Sequence, residues 1–191
     1  MKLSALPLRT LGLGTLLAAA VLGVPVASAA DYVQARGGLS FVGKYQGETF
    51  IGTFPGFSTR LQFDPAAPQA ARLEVDIPLA SADTRNSERD STLKGADFFN
   101  VARFATARYS AQGFTALGDD RYRAEGTLEL RGVRKPVTLT FTLSGDNNPV
   151  LVGQAVVKRL DFGIGGGDWA DVSIIPNEIA VATRVTFKPA P

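Results

Sequence analysis

The segment RLDFGIGGGDWAD, from Arg159 to Asp171, concentrates glycines as phosphate-binding loops do. A dinucleotide-binding loop has the pattern G-x-G-x-x-G between a strand and a helix, and a P-loop ends in Gly-Lys-Ser/Thr. Here Asp168 stands at the place of the last glycine, no helical pattern follows, and no Gly-Lys-Ser/Thr is present. We therefore predict a wide turn between two strands, in which glycines adopt backbone angles that other residues disfavour.

Other residue types that could do chemistry are sparse. The chain has no cysteine and no histidine, which removes thiol chemistry and the commonest general base and metal ligand. The stretch STLK, Ser91 to Lys94, fits the S-x-x-K pattern of some serine hydrolases, but their S-D-N and K-T-G signals are absent. Two pairs of acids could bind a hard cation, although aspartates are common in turns: Asp119 with Asp120, and Asp168 with Asp171. We predict a protein that is not an enzyme and has no metal site.

The first thirty residues have the features of a secretory signal peptide. Lys2 and Arg9 provide a basic start, an apolar run follows, and the small residues of ASAA suit cleavage after Ala29 or Ala30. We therefore expect an exported, periplasmic protein whose single domain spans residues 31–191. The whole chain has 20 basic and 18 acidic residues, and the signal holds two of the bases and none of the acids. The remaining domain is thus neutral, which argues against a nucleic-acid partner.

The domain is dominated by alternation of apolar and polar residues. RLEVDIP, RYRAEGTLELR, PVTLTFTLS and EIAVATRVTF each place apolar side chains on one face and polar or small ones on the other. Such segments are typical of half-buried strands, and short connections rich in Gly, Pro, Asp and Asn separate them. Eight or nine strands joined in this way favour a closed antiparallel barrel, because closure removes exposed edges.

One segment lacks the alternation. In DTRNSERDSTLKG, Asn86 or Ser87 could cap a short helix that ends at Gly95. Leu93 is its only large apolar residue, so the helix has almost no face to bury in a core. We expect it to lie across the barrel surface or one mouth, held by Phe98 and Phe99.

Phenylalanine is abundant, with twelve in the chain, and several stand at barrel-facing positions. An eight-stranded barrel can be filled by side chains or can hold one small ligand. The pattern alone leaves both alternatives open.

Three blocks stand out, in this order: LASADTRNSERDSTLKGADFFNVARFATARY, GTLELRGVRKPVTLTFTL and LDFGIGGGDWADVSIIPNEIAV. They resemble the signature segments of the YceI-like family, and the likeness extends over nearly all of the domain. The GGGDWAD form is similar to the subgroup associated with cytochrome b561-type membrane proteins. One departure is VQARGGLS, residues 33–40, where most members have I-D-x-x-H-S.

The resemblance implies an exported, lipocalin-like extended antiparallel barrel that binds an amphiphile, typically a polyisoprenoid or an isoprenoid quinone, without catalytic residues or a required cofactor. We expect a monomer or homodimer that acts as a lipid carrier. The alternatives are an accessory protein that docks to a cytochrome b561-type partner and, less favoured, a hydrolase on the same barrel. We expect the apolar lining or rim to comprise Phe41, Phe54, Phe63, Val75, Phe98, Phe99, Phe104, Phe141, Phe162 and Trp169. The candidates for head-group contacts at the mouth are Arg85, Asn86 and Arg89.

Overall fold

The computed structural model describes residues 29–191, so the predicted signal peptide lies almost entirely outside the described residues. Nine strands and one α-helix follow in chain order. The strands are β1 (Ala30–Tyr45), β2 (Glu48–Thr53), β3 (Ser58–Phe63), β4 (Arg72–Pro78), β5 (Thr106–Gly118), β6 (Arg121–Leu130), β7 (Val133–Ser144), β8 (Val150–Lys158) and β9 (Glu178–Pro189). The helix α1 (Ser87–Lys94) lies between β4 and β5.

The strands form a closed, eight-stranded antiparallel barrel, as predicted. Each strand from β3 to β9 pairs with the next, and β1 closes the ring by pairing with β9. The other edge of β1 pairs with β3 near its start and with β2 near its end. β2 and β3 are therefore two halves of one barrel strand, interrupted at residues 54–57. Pro55, which has no backbone N–H to donate, lies in this interruption.

The predicted alternation sets which side chains face the interior. On β6, Tyr122, Ala124, Leu128 and Leu130 are buried while their neighbours are more exposed. The inward residues of β7 and β9 follow the same pattern.

The two ends of the barrel differ. We call the end with connections 46–47, 79–105, 131–132 and 159–177 the helix end, and the end with 64–71, 119–120 and 145–149 the turn end.

Aromatic side chains fill the barrel at the turn end. Phe63, Phe114, Tyr122 and Phe141 form a cluster with ring-centroid separations of 5.1 to 6.4 Å. Phe187 nearby is completely buried. Edge-to-face and stacked pairs at such separations pack densely, so this half of the barrel is a filled core.

The ring of Tyr109 on β5 lies against the barrel wall over a glycine of the neighbouring strand. Its hydroxyl lies 3.2 Å from the carbonyl oxygens of Ala124 and Val137, and burial raises its pKa well above the usual value. A methyl group at Gly126, on the neighbouring strand β6, would overlap the Tyr109 phenol. The ring fits only because Gly126 has no side chain.

We therefore expect Gly126→Ala to lower the free energy of unfolding by about 1–3 kcal/mol, the usual cost of an added methyl in a packed interior. The matched control is Gly38→Ala on β1, where an added Cβ has no atom within 4 Å. Urea denaturation followed by circular dichroism measures both variants. Equal midpoints for the two variants would contradict the packing described for Tyr109.

Candidate ligand-binding cavity

The half of the barrel nearer the helix end is hollow. A cavity of about 500 Å³ lies there, within the range of about 300–1,000 Å³ that is usual for small-molecule sites. Its walls are mainly aliphatic and aromatic, and they include Leu39, Phe41, Phe54, Leu73, Val75, Phe99, Leu139 and Val181. The barrel is thus filled at one end and hollow at the other, which the sequence pattern left undecided.

The cavity opens at the helix end, where several of its lining residues are exposed to solvent. Lys44 and Tyr45 come from the end of β1, and Glu88 and Thr92 come from α1. We call this opening the mouth; its residues are Lys44, Tyr45, Phe50, Asn86, Glu88, Arg89, Thr92 and Trp169. The rings of Tyr45 and Trp169 have centroids 6.2 Å apart across it.

Helix α1 is fixed at the mouth by its own polar side chains. Of the two predicted caps, Asn86 and Ser87, Asn86 is the N-cap, and its side chain accepts a hydrogen bond of 3.0 Å from the backbone N–H of Arg89. The Arg89 guanidinium donates to the Thr84 hydroxyl (2.9 Å) and to the Thr84 carbonyl oxygen (3.1 Å), and it lies 4.1 Å from the centre of the Phe50 ring. Asp90 accepts from the hydroxyl and the backbone N–H of the same threonine. Much of the hydrogen-bonding capacity of Asn86 and Arg89 is therefore used within the protein.

Sequence reasoning missed Arg159, a residue that is only 3% exposed and that borders the cavity at the helix end. All five of its N–H groups donate to backbone carbonyl oxygens, those of Ile164, Gly165, Trp169, Ile175 and Pro176. Burial lowers its pKa from the ordinary arginine value. One side chain thus holds both arms of the connection from β8 to β9. The signal in the sequence is a lone arginine at the end of an apolar strand, immediately before a glycine-rich stretch.

The glycine-rich stretch is an irregular connection between strands, as predicted. Gly163, Gly165 and Gly167 have φ between +57° and +66°, the left-handed region that favours glycine. Asp171 accepts hydrogen bonds from the hydroxyl and N–H of Ser173, which lower its pKa. Within residues 29–191, no group of three or more acidic, histidine or cysteine side chains could hold a metal ion.

Eight of the residues predicted for the site border the cavity, and five do not. Those that do are Phe41, Phe54, Val75, Asn86, Arg89, Phe98, Phe99 and Trp169. The structure places Phe63 and Phe141 in the aromatic cluster at the turn end, away from the cavity. Phe162 is buried in the short turn after β8, and Phe104 packs beside Gly132. Arg85 is exposed, and its backbone N–H donates a hydrogen bond to the Asp83 carboxylate.

The sequence matches the YceI-like domain family over residues 32–187. The chain belongs to the YceI-like family. A UPF0312 protein of Azotobacter vinelandii is 34% identical over 160 residues, which cover 78% of this chain and 83% of the relative. A UPF0312 protein of Shewanella baltica is 31% identical over 164 residues, 80% of this chain and 86% of the relative.

Solved structures of the YceI-like fold agree with the barrel. BcnA of Burkholderia cenocepacia superimposes with a TM-score of 0.74 at 25% identity, over 78% of this chain and 95% of that protein. A polyisoprenoid-binding domain from Saccharophagus degradans superimposes with a TM-score of 0.66 over 85% of this chain and 99% of that domain. At 16% identity, the second likeness shows a shared fold. No helix in the described part of the chain, residues 29–191, is long and apolar enough to cross a membrane.

We expect Arg159→Lys to lower the free energy of unfolding by at least about 3 kcal/mol. Lysine keeps the charge but has three donors for five carbonyl oxygens, and bonds to charged groups contribute about 1.5–3 kcal/mol each. The control is Lys158→Met at the preceding, exposed position. Guanidinium denaturation measures stability, and limited proteolysis reports cleavage within residues 159–177. An Arg159→Lys variant as stable and as protease-resistant as the control would show that the five bonds are not needed.

Proposed function

We propose that the protein binds an isoprenoid lipid or isoprenoid quinone in this cavity and carries or sequesters it in the periplasm, without catalysis. The observation that carries the proposal is the cavity itself. Its walls are apolar, the aromatic cluster fills the barrel beyond it at the turn end, and it opens to solvent at the mouth. Removing apolar surface from water is favourable by about 25 cal/mol per Å². A container of this shape therefore lowers the free energy of a lipid that is insoluble in water.

The chemistry of the fold neighbours supports the choice of ligand. The Saccharophagus degradans domain with the same fold is described as polyisoprenoid-binding. A branched, flexible isoprenoid chain suits a tube whose walls mix branched aliphatic residues with Phe41, Phe54 and Phe99. The quinone form and a cytochrome b561-type partner rest on the sequence resemblance alone.

The polar groups near the cavity support binding over hydrolysis. Ser91, the serine of the S-x-x-K match, is exposed on α1, and its hydroxyl donates to the Ser87 carbonyl oxygen at 2.8 Å. The charged groups Arg89 and Arg159 form hydrogen bonds within the protein. This arrangement favours a binding protein over the alternative of a hydrolase.

The ligand is identified by purifying the protein in its native state, extracting it with organic solvent and analysing the extract by mass spectrometry. We expect an isoprenoid in stoichiometric amount. A protein that yields no lipid and also fails to take up added prenols or quinones would refute the proposal.

A cavity-filling variant tests where the lipid binds. Ala155 on β8 lines the cavity, and its neighbour Val156 points outward and is 55% exposed. We expect Ala155→Trp to reduce the extracted lipid at least about tenfold, because the indole occupies the space of the ligand, while Val156→Trp keeps the loading of the natural protein. Circular dichroism verifies that both variants fold. Equal loading of the two variants would place the lipid outside the cavity.

A further inference from the structure

The largely apolar wall of the cavity contains a buried threonine, Thr59. Thr59 lies on β3, faces the interior and is 4% exposed, and it borders the cavity at the level of Val75 and Tyr109. This level is in the middle of the barrel, well below the mouth. A hydroxyl in this position is surrounded by aliphatic and aromatic side chains.

The Thr59 hydroxyl has no hydrogen-bond partner among residues 29–191. Within the same range, the other buried side-chain oxygen without a partner is Oε1 of Gln34. Val33 pairs with Arg60, so Gln34 and Thr59 follow them on the adjacent strands β1 and β3. An unsatisfied buried polar group costs about 1–3 kcal/mol, so proteins rarely keep one unless something else satisfies it.

The charge distribution in the cavity limits what this partner is. The charged residues that line it are Lys44, Glu88, Arg89 and Arg159, and all four lie at the helix end. A phosphate or carboxylate beside Thr59 would be buried without a counter-ion, which is costly. A hydroxyl without a partner in a largely apolar wall suits an uncharged oxygen, such as a carbonyl or a hydroxyl.

We propose that Thr59 forms a hydrogen-bonding subsite inside the barrel and that the ligand carries an uncharged oxygen which binds there. This inference rests on the proposed function and narrows it to neutral isoprenoids, prenols and quinones, in place of prenyl phosphates. It also puts the oxygen-bearing end of the ligand in the interior. Two of the side chains at the mouth that were expected to contact the head group are already engaged within the protein. Asn86 caps α1, and Arg89 binds Thr84.

The test compares three probes with the same hydrocarbon skeleton: farnesene, farnesol and farnesyl phosphate. Trp169 is the only tryptophan of the chain and borders the cavity, so its fluorescence reports binding to protein that has been stripped of lipid. We expect the natural protein to bind farnesol more tightly than farnesene or farnesyl phosphate. Thr59→Val, which removes the hydroxyl and keeps the shape, should weaken farnesol binding about 3- to 10-fold and change farnesene binding by less than about 2-fold.

Thr59→Ser is the matched control, because it keeps the hydroxyl and should retain the preference for farnesol. Thr59→Val should be at least as stable as the natural protein, since it removes a buried group without a partner. If Thr59→Val does not fold, that result refutes the inference, because the hydroxyl then has a structural partner. Thr59→Ala provides a second measurement of farnesol affinity without the hydroxyl.

The outcomes separate the two proposals. A natural protein that binds none of the three probes overturns the proposed function and this inference together. If the natural protein binds all three and Thr59→Val binds farnesol as tightly as before, the inference fails while the lipid-binding function stands. If farnesyl phosphate binds most tightly and Thr59→Val does not change its affinity, the inference is overturned, and the ligand has a charged head group at the mouth.

Discussion

Closure of the sheet through β1 is the constraint on which the rest of the structure depends. β1 pairs with β9 along one edge and with both β2 and β3 along the other. Because each strand has one apolar face, an open sheet would leave two edges and a large apolar surface in water. Closing the ring buries that face, and it also fixes the circumference. The interior must then be filled by whatever side chains the inward positions supply.

The inward-facing side chains are larger at the turn end of the barrel than nearer the helix end. At the turn end, Phe63, Phe114, Tyr122 and Phe141 meet in the middle of the barrel and fill it. Nearer the helix end, β8 and β9 contribute smaller side chains such as Gly153, Ala155, Val181 and Thr183, and the space between the walls stays empty. The smaller side chains nearer the helix end therefore account for the cavity.

Two long connections, residues 79–105 and 159–177, lie at the helix end of the barrel, and arginine side chains bind backbone carbonyl groups in both of them. Arg159 binds five carbonyl oxygens of the β8–β9 connection. Arg131, in the turn between β6 and β7, lies within hydrogen-bonding distance of the carbonyl oxygens of Asp97, Phe98 and Gly163. It thereby joins the segment after α1 to the glycine-rich stretch. A guanidinium has five donors in one plane, so it can satisfy carbonyl groups that belong to no helix or strand. The glycines of this stretch provide the backbone angles that bring those carbonyl groups to it.

The sequence predicted correctly the features that depend on neighbouring residues. It did not predict the features that depend on residues far apart in the chain. Alternation predicted the strands and their inward faces, and the polar pair Asn86 and Ser87 predicted the start of α1 to within one residue, because both signals depend on a few neighbouring residues. The alternation says which face a side chain occupies but gives no height along the barrel. Phe41 and Phe141 both face inward, yet Phe41 borders the cavity and Phe141 lies in the aromatic cluster.

The height of a side chain is set by the register between strands, which joins residues far apart in the chain. Thr59 illustrates the consequence. In the sequence it is one more small polar residue in a strand, and only the pairing of β3 with β1 and β4 puts it in the cavity wall beside Val75. In the sequence, a polar residue at an inward position of a strand looks the same as a strand whose inward face has been assigned wrongly. Only the register between the strands distinguishes the two. Once the register is known, the same residue becomes informative, because an apolar wall that keeps one hydroxyl without a partner is suited to a ligand that is apolar except at one point.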